Sequence, residues 1–574
     1  MPDPLVVLKF GSSVLASEAD LPGAVHEIYR WVRRGWRVVA VVSAIGNSTN
    51  ELLQRARSYG DRVSDHSVAT LLATGEATSA ALLSLALDRA GTPSIVLDET
   101  RLGLRTRGDV LNSEPCELNA CEIARILERF PVVVAPGFVG RFDDGTVSLL
   151  GRGGSDLTAV FIAHRLRADR CRLIKDVDGI FECDPAACGP VPRRYRTLRW
   201  AEAARVGGKV VQAKAVKFAE SQRIPIEIAA LNSEQPSVIC DQPATFHPEF
   251  APPRPMRVAL LGAGTVGLGV YGFLAAHPES FEIAGIGVQE LEREDGTPRQ
   301  LLTRDLTKIA DSGCDAVIEL IGGLHPARDL IRSALRAGKH VVTANKLVVS
   351  RHGRELERLA AESGAQLRYS AAVGGGVPML EHVSQIAVAK GITKVEGVVN
   401  GTTNFVLDRL GEGLTHDEAL REAQRLGLAE KDPTTDLDGS DAAHKLALLA
   451  QPAFGAWLDP EQVERTGISS ITVHEVRSAA ASGEAVRLVA RLRKTAAGLE
   501  AKVSPQRVDR THAFAQTCNE ENCLQIHSQD GEVVHVRGKG AGRWPTTESV
   551  AADLFDLYRI WQSSRQVEQL AGRA

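Results

Sequence analysis

The chain has 574 residues, 44% of them hydrophobic and 24% charged, with a formal net charge of −4. That length exceeds a single core, so about three to four domains are expected. The charge argues against a nucleic-acid or anionic-membrane partner, and no run of about 18 apolar residues suggests a membrane span. Met1-Pro2-Asp3-Pro4 lacks the basic start and apolar run of a secretory signal. The nine cysteines are scattered, with three C-x4-C pairs (Cys116/Cys121, Cys183/Cys188, Cys518/Cys523) and no histidines at zinc spacing. They read as thiols in a reducing, cytoplasmic compartment.

In chain order, residues 5–10 form an apolar run that predicts a buried strand, ending in Lys9-Phe10-Gly11-Ser12-Ser13. Residues 38–42 and 131–135 read the same way, and the small and apolar residues of 69–87 predict a helix between them. Strands alternating with helices imply an α/β fold with a parallel sheet covered on both faces. Lys9 stands at a strand end, where an ammonium can reach phosphate oxygens. The run Gly151-Arg152-Gly153-Gly154-Ser155-Asp156 precedes a helical pattern over 157–166 and can cradle an anion with backbone N–H groups. Lys175-Asp176-Val177-Asp178-Gly179-Ile180 is followed by Asp184-Pro185.

These stretches resemble the amino-acid kinase superfamily, and the aspartokinase catalytic domain in particular. The matching runs are KFGSS, VSAIGNSTN, TGE ending at Glu76, GFVG, LGRGGSDLTA, DVDGI with its following DP, and GGKVV. The resemblance implies transfer of a phosphoryl group from Mg-ATP to the β-carboxylate of aspartate. It places Lys9 on the transferring group and Asp156 as organiser of the charges there. It gives Thr49, Glu76 and Arg152 to aspartate, and Gly11, Ser12, Lys175, Asp178 and Lys209 to ATP. The sequence departs from the family at Ser12, where a second glycine is usual, at Ala186 after Asp184-Pro185, and at Gln212-Ala213, where His-Pro is usual. Two other readings stay open: a kinase-like sensor or assembly module without activity, and a kinase for glutamate.

Residues 233–255 contain Pro236, Pro243, Pro248, Pro252, Pro253 and Pro255 and are expected to be a linker. That leaves no room for the paired ACT regulatory modules of full-length aspartokinases. The first domain is therefore drawn over 1–232.

At 256–267 an apolar strand runs into Gly262-Ala263-Gly264-Thr265-Val266-Gly267. The spacing is the dinucleotide fingerprint: a tight turn, a close backbone approach to the pyrophosphate, and close packing of the next helix. A second strand over 281–288 ends beside Glu290, which favours NAD, and Arg293, which accepts a 2′-phosphate, so both NAD and NADP remain open. Strands over 316–321 and 340–343 follow, then Ala344-Asn345-Lys346. The most charged stretch holds Glu430, Lys431, Asp432, Asp436, Asp438, Asp441 and Lys445. Asp441 and Lys445 stand four apart and share one helix face.

The second half resembles homoserine dehydrogenase. GAGTVG, ELIGGLHPAR, GKHVVTANK, VGGGVP, VNGTTNFVL, LAEKDPTTDLDGSDAAHKLALL and GKGAGRWPTTESVAAD stand in family order. The resemblance implies a Rossmann domain over 256–376, an α+β substrate and dimerisation domain over 377–545, and a C-terminal helical segment over 546–574 packing back on the Rossmann domain. It implies hydride transfer between NAD(P)H and L-aspartate 4-semialdehyde, giving L-homoserine, in threonine, methionine and lysine biosynthesis. Lys445 and Lys346 would handle the proton, with Asp441 in the catalytic set. Thr402, Glu430 and Asp436 would hold the substrate. Gly262, Gly264, Thr265, Val266, Gly267, Gly322, Asn345, Lys346 and Gly542 would hold the cofactor. The family's monovalent cation, Na+ or K+, would sit on the carbonyls of Val373 and Gly375, although the family's glutamate three residues before that valine is Ser370 here. A homodimer or homotetramer is expected.

Overall fold

The valine-rich strand Arg37–Val42 lies parallel to Leu5–Phe10 in register from Leu5↔Arg37 to Phe10↔Val42. All but the first residue of each is buried, as β-branched strands covered on both faces should be. The computed structural model describes residues 3–60, 62–185, 192–208, 210–248, 254–292, 295–310 and 313–571. It divides into two units, Met1–Ala251 and Pro252–Ala574.

In the first unit the two strands sit near the middle of a nine-stranded sheet among the described residues. Arg170–Ile174 pairs with Leu5–Phe10 on one side, and Val132–Pro136 with Arg37–Val42 on the other, all parallel. One apolar core, with Leu8, Ile28 and Leu83, fills one face. Another, with Val7, Val160 and Ala215, fills the opposite face. The helix Asp65–Arg89 is long and apolar enough to cross a membrane by length and composition alone. Its Val68, Ala69, Leu72, Ala80, Leu83 and Leu87 are buried in the unit.

The linker expected from residue 233 needs correction. Ser237–Cys240 pairs with both Ile226–Ala229 and Tyr195–Arg199, and Thr245–Phe246 closes the sheet edge. Pro236 and Pro243 flank the strand instead of interrupting it, which costs the ladder no hydrogen bond. Ile239 and Cys240 between them are buried, and Ile239 joins the apolar core of the sheet. The reading of every cysteine as a thiol also fails at Cys183, which is disulfide-bonded. Pairing depends on how the chain brings sulfurs together in space, which spacing alone does not fix.

In the second unit a parallel six-stranded sheet runs in the order Leu302–Thr303, Phe281–Gly287, Met256–Leu261, Ala316–Glu319, His340–Thr343, Leu367–Arg368. The C-terminal helix Arg543–Ala571 returns to it. Val550, Leu554, Phe555, Tyr558 and Trp561 share one core with Val258, Leu260, Val270 and Phe281. The chain's last helix is thus part of the dinucleotide fold. A second six-stranded sheet, centred on Glu484–Thr495 and Ile392–Val398, is antiparallel except where Glu464–Arg465 joins it. Its apolar face packs on the helices Gly401–Glu412 and Ser440–Phe454.

Candidate functional site

In each unit a buried aspartate is held between two lysines. In the first unit, Lys9 projects from the end of Leu5–Phe10 and Lys175 follows Arg170–Ile174, the neighbouring strand. Both ammonium groups meet Asp156, Lys9 at 2.7 Å and Lys175 at 3.0 Å. Asp156 lies in the first turn of Gly154–Leu166, where a helix dipole also favours a carboxylate. Burial alone would raise this carboxyl, but the two lysines outweigh it and hold it below the usual range. Burial and the neighbouring Lys9 push Lys175 down. Gly11 leaves the ammonium its room, since a Cβ there would stand 2.9 Å from Lys9 Nζ.

Glu76 lies inside the long helix at 2% exposure. Burial pushes it up to about 7 against the N–H of Ala44 and the charge of Lys9, and its Oε2 has no hydrogen-bond partner among the described residues. It is a buried acceptor beside a cationic cluster. Arg152 is exposed on the glycine loop, and no ion pair holds it among the described residues. Gly151 and Gly153 both take positive φ, 74° and 76°, which sets this loop's path. Thr49 is half-buried in the helix Ser48–Arg57, and Ser12 is exposed. Asp178 pairs with Arg194, and its Oδ1 accepts from Ala230 N at 3.3 Å, so its carboxylate is already engaged. Lys209 and Ala186 lie outside the described residues.

In the second unit the glycine turn has the geometry a dinucleotide needs. Gly262 takes φ 103°, and a Cβ there would stand 2.8 Å from Leu320 O. A Cβ on Gly267 would stand 2.1 Å from Gly262 O, while at Gly264 it would meet nothing within 4 Å. The middle glycine therefore offers open, exposed backbone just before Thr265–Ala275, whose Thr265 is exposed and Val266 half-buried. Gly322 and Gly323 form an exposed turn, both with positive φ. Asn345 donates to Gly323 O at 2.7 Å and caps Lys346–Ser363 through Val348 N. Gly542 is exposed just before the last helix.

The charged stretch gathers around Asp441, 3% exposed. Lys445 reaches its Oδ2 at 2.9 Å and Lys346 pairs with its Oδ1. Burial opposes ionisation here, yet Lys445 and Lys346 bring the carboxyl far below its usual range. Asp441 in turn raises Lys346 against the effect of burial, with Asp436 and Glu430 adding to it. Asp436 is pushed up by burial and by the Asp441 charge. Asn400 joins the two acids, donating to Asp436 at 2.7 Å and Asp441 at 2.8 Å. Lys445 also donates to Val399 O at 2.7 Å. Thr402 spends its hydroxyl proton on Leu428 O, 2.8 Å away, and Glu430 is exposed.

Sequence reading passed over Asn400, Ser350 and His444. Ser350 Oγ and His444 Nδ1 lie 2.7 Å apart and tie the Lys346 helix to the Lys445 helix. Only the asparagine left a signal, as a helix N-cap ahead of Gly401–Glu412. Nothing among the described residues supports the expected cation site, whose one side-chain ligand in the family, a glutamate, is Ser370 here. Ser370 offers a neutral hydroxyl that donates to Asp553 at 2.8 Å, and its N–H donates to the same carboxylate. Val373 is buried, and a Cβ on Gly375 would stand 2.4 Å from Gly540 O. Among the described residues no group of three or more His, Cys, Asp or Glu could hold a metal ion.

Three family models match the chain: the amino acid kinase family over 4–230, the homoserine dehydrogenase NAD binding domain over 262–370, and homoserine dehydrogenase over 378–555. The chain is 36% identical to a homoserine dehydrogenase of Bacillus subtilis over 316 residues, which is 53% of this chain and 73% of the relative. It is 36% identical to one of Pseudomonas aeruginosa, over 54% and 74% of the two chains. A crystal structure of a homoserine dehydrogenase from Thiobacillus denitrificans aligns with TM-score 0.52 at 36% identity, covering 54% of this chain and 74% of that one.

Proposed function

The chain belongs to the homoserine dehydrogenase family and carries an amino-acid kinase domain besides, and from its two sites we propose a bifunctional enzyme of the aspartate pathway. The kinase half phosphorylates the β-carboxylate of L-aspartate with Mg-ATP. The dehydrogenase half interconverts L-aspartate 4-semialdehyde and L-homoserine with NAD or NADP, toward threonine, methionine and lysine. The observation that carries this reading is the recurrence, in each unit, of one buried carboxylate held between two lysines.

When bound, NAD or NADP would supply the hydride chemistry at the carbonyl carbon. The chain's own residues handle the proton and the substrate. An ammonium has three N–H donors; Lys445 commits two, to Val399 O and Asp441. The third is left for the substrate oxygen, protonating it on reduction and, as the amine, taking the proton back on oxidation. The Lys346 side chain, 42% exposed, is the second cation open to that oxygen. Asp436 and Glu430 supply negative charge for the substrate's amino group.

In the kinase, Lys9 and Lys175 leave one net positive charge after Asp156 is counted. That surplus compensates charge on the transferring phosphoryl oxygens, most of what such a site must do. Glu76 accepts the aspartate ammonium, and the exposed Arg152 pairs with the α-carboxylate. In this reading the enzyme works in the cytoplasm as a dimer or tetramer; the net charge of −4 supports only the further expectation that it binds neither nucleic acid nor an anionic membrane. The purified full-length chain is to be assayed for ATP turnover with aspartate and with glutamate, and for homoserine oxidation with NAD and NADP. Turnover with aspartate and homoserine is expected; no aspartate-dependent ATP turnover would remove the kinase half of the proposal.

A further inference from the structure

Glu319 ends the strand Ala316–Glu319 and has 0% exposure. Its register neighbours are Leu261, directly before the Gly262 turn, and Thr343, two residues before Asn345. A carboxylate in such a place must be hydrogen-bonded or it destabilises the fold. Oε1 accepts from Ile321 N at 2.9 Å and Gly322 N at 3.1 Å. Oε2 accepts from the Thr343 hydroxyl at 2.6 Å. That hydroxyl accepts from Asn345 N at 3.0 Å. Asn345 then donates to Gly323 O and caps the helix that Lys346 begins.

The bonds close into a ring: Glu319, the Gly322–Gly323 turn, Asn345, Thr343, and Glu319 again. Two successive glycines at φ 72° and 70° have little intrinsic preference for one path, and the carboxylate fixes it by accepting two of the turn's amides. The same carboxylate, through Thr343, sets where Asn345 stands, and so where the backbone of Lys346 leaves the sheet. We infer that Glu319 is a positioning residue of the dehydrogenase site: it sets the Gly322–Gly323 turn against the dinucleotide and aims Lys346 at Asp441, without touching either ligand.

The inference rests on the dehydrogenase reading, which wild-type homoserine oxidation tests by itself. Two variants then separate the links of the ring. Glu319→Gln removes the charge that accepts the turn amides. A hydrogen bond to a charged group carries about a factor of ten, so the dissociation constant for NAD(P)H should rise roughly tenfold and kcat should fall roughly tenfold. Thr343→Val cuts only the arm toward Asn345, so kcat should fall several-fold with cofactor affinity unchanged. Cofactor binding is read by fluorescence titration of the full chain, and turnover is taken per folded molecule. A merely structural role predicts a lower melting temperature in both variants with wild-type Kd and kcat in the folded fraction, and that result overturns the inference. Should Glu319→Gln fail to fold, Thr343→Val decides: wild-type kcat in it also overturns the inference, and a selective kcat loss sustains it.

Discussion

The two charge clusters share a plan and differ in what surrounds it. Around Asp156 both lysines are deeply buried, with side chains 7% and 11% exposed. Around Asp441 one lysine is buried at 10% and the other stands 42% open. The dehydrogenase cluster has a second acid, Asp436, joined to Asp441 through Asn400, so two carboxylates balance two ammonium groups. The kinase cluster has one carboxylate for two, with Glu76 near enough to feel Lys9 yet pushed up to about 7. A surplus cation suits the binding of a phosphoryl group. In the balanced cluster a lysine that gives up its proton leaves one net negative charge, which favours taking the proton back. The same triad is thus set to two tasks by the acid beside it.

The strongest way to break this comparison is to remove the surplus cation. Lys9→Met should lower aspartate-dependent ATP turnover by about 10³-fold or more, the upper scale for deleting one preorganised charge donor. Homoserine oxidation, assayed on the same preparation, should stay at wild type. Equal loss of both activities would mean that the variant unfolds the chain. An unchanged ATP turnover would mean that Lys9 does not meet the phosphoryl group.

The balanced cluster should respond differently. Lys445→Ala should lower kcat for homoserine oxidation by about 10²-fold, the scale of a positioned acid–base group, with NAD(P)H affinity retained. The Lys346 ammonium remains beside Asp441 in that variant, so the carboxylate is not left unpaired. Turnover near wild type would transfer the proton-handling role to Lys346.

Glu76 sharpens the contrast through pH. Its raised carboxyl takes up a proton as pH falls through about 7, and a neutral acid cannot pair with the aspartate ammonium. The KM for aspartate should therefore be flat above that value and rise about tenfold per pH unit below it. Asp441, held ionised far below that range, should add no such step to homoserine kinetics. Glu76→Gln should raise KM above pH 7, where the wild-type carboxyl is charged, and flatten the profile. A wild-type KM independent of pH between 5 and 8 would exclude Glu76 from the aspartate site.

What was legible in the sequence follows from the range of the forces involved. The strands Leu5–Phe10 and His340–Thr343 lie where the apolar runs place them, because a buried parallel strand needs only a continuous β-branched stretch. The Asp441–Lys445 contact follows from helical spacing alone. Ser237–Cys240 was hidden because the prolines on either side of it dominate the composition, although neither interrupts the strand. The ring around Glu319 was hidden for another reason: its bonds join residues on adjacent strands, and only the sheet register brings Thr343 to Glu319. In the same way the pairing of Lys175 with Asp156 exists only once a helix start and a strand end meet.

Asn400 gives the finest test of the balance at Asp441. Its side chain does two things at once. The carbonyl oxygen accepts from Thr403 N at 2.9 Å and caps Gly401–Glu412, and the amide donates to Asp436 and Asp441. Serine is also a good N-cap, so Asn400→Ser keeps the first role at a cost of a few tenths of a kcal/mol. It is too short to bridge both acids. Losing a donor between two carboxylates lets Asp436 drift toward its protonated form, since burial and the Asp441 charge already push it that way. Substrate binding should suffer more than the chemical step: KM for homoserine is expected to rise roughly fivefold, within the factor of about ten of a charge-assisted hydrogen bond. Asp441 keeps both lysines, so kcat should change less than twofold. The increase in KM should shrink as pH is raised and Asp436 ionises again. A fall in kcat with KM unchanged would instead place Asn400 in the proton-handling set and undo the division of labour between Asp436 and Asp441.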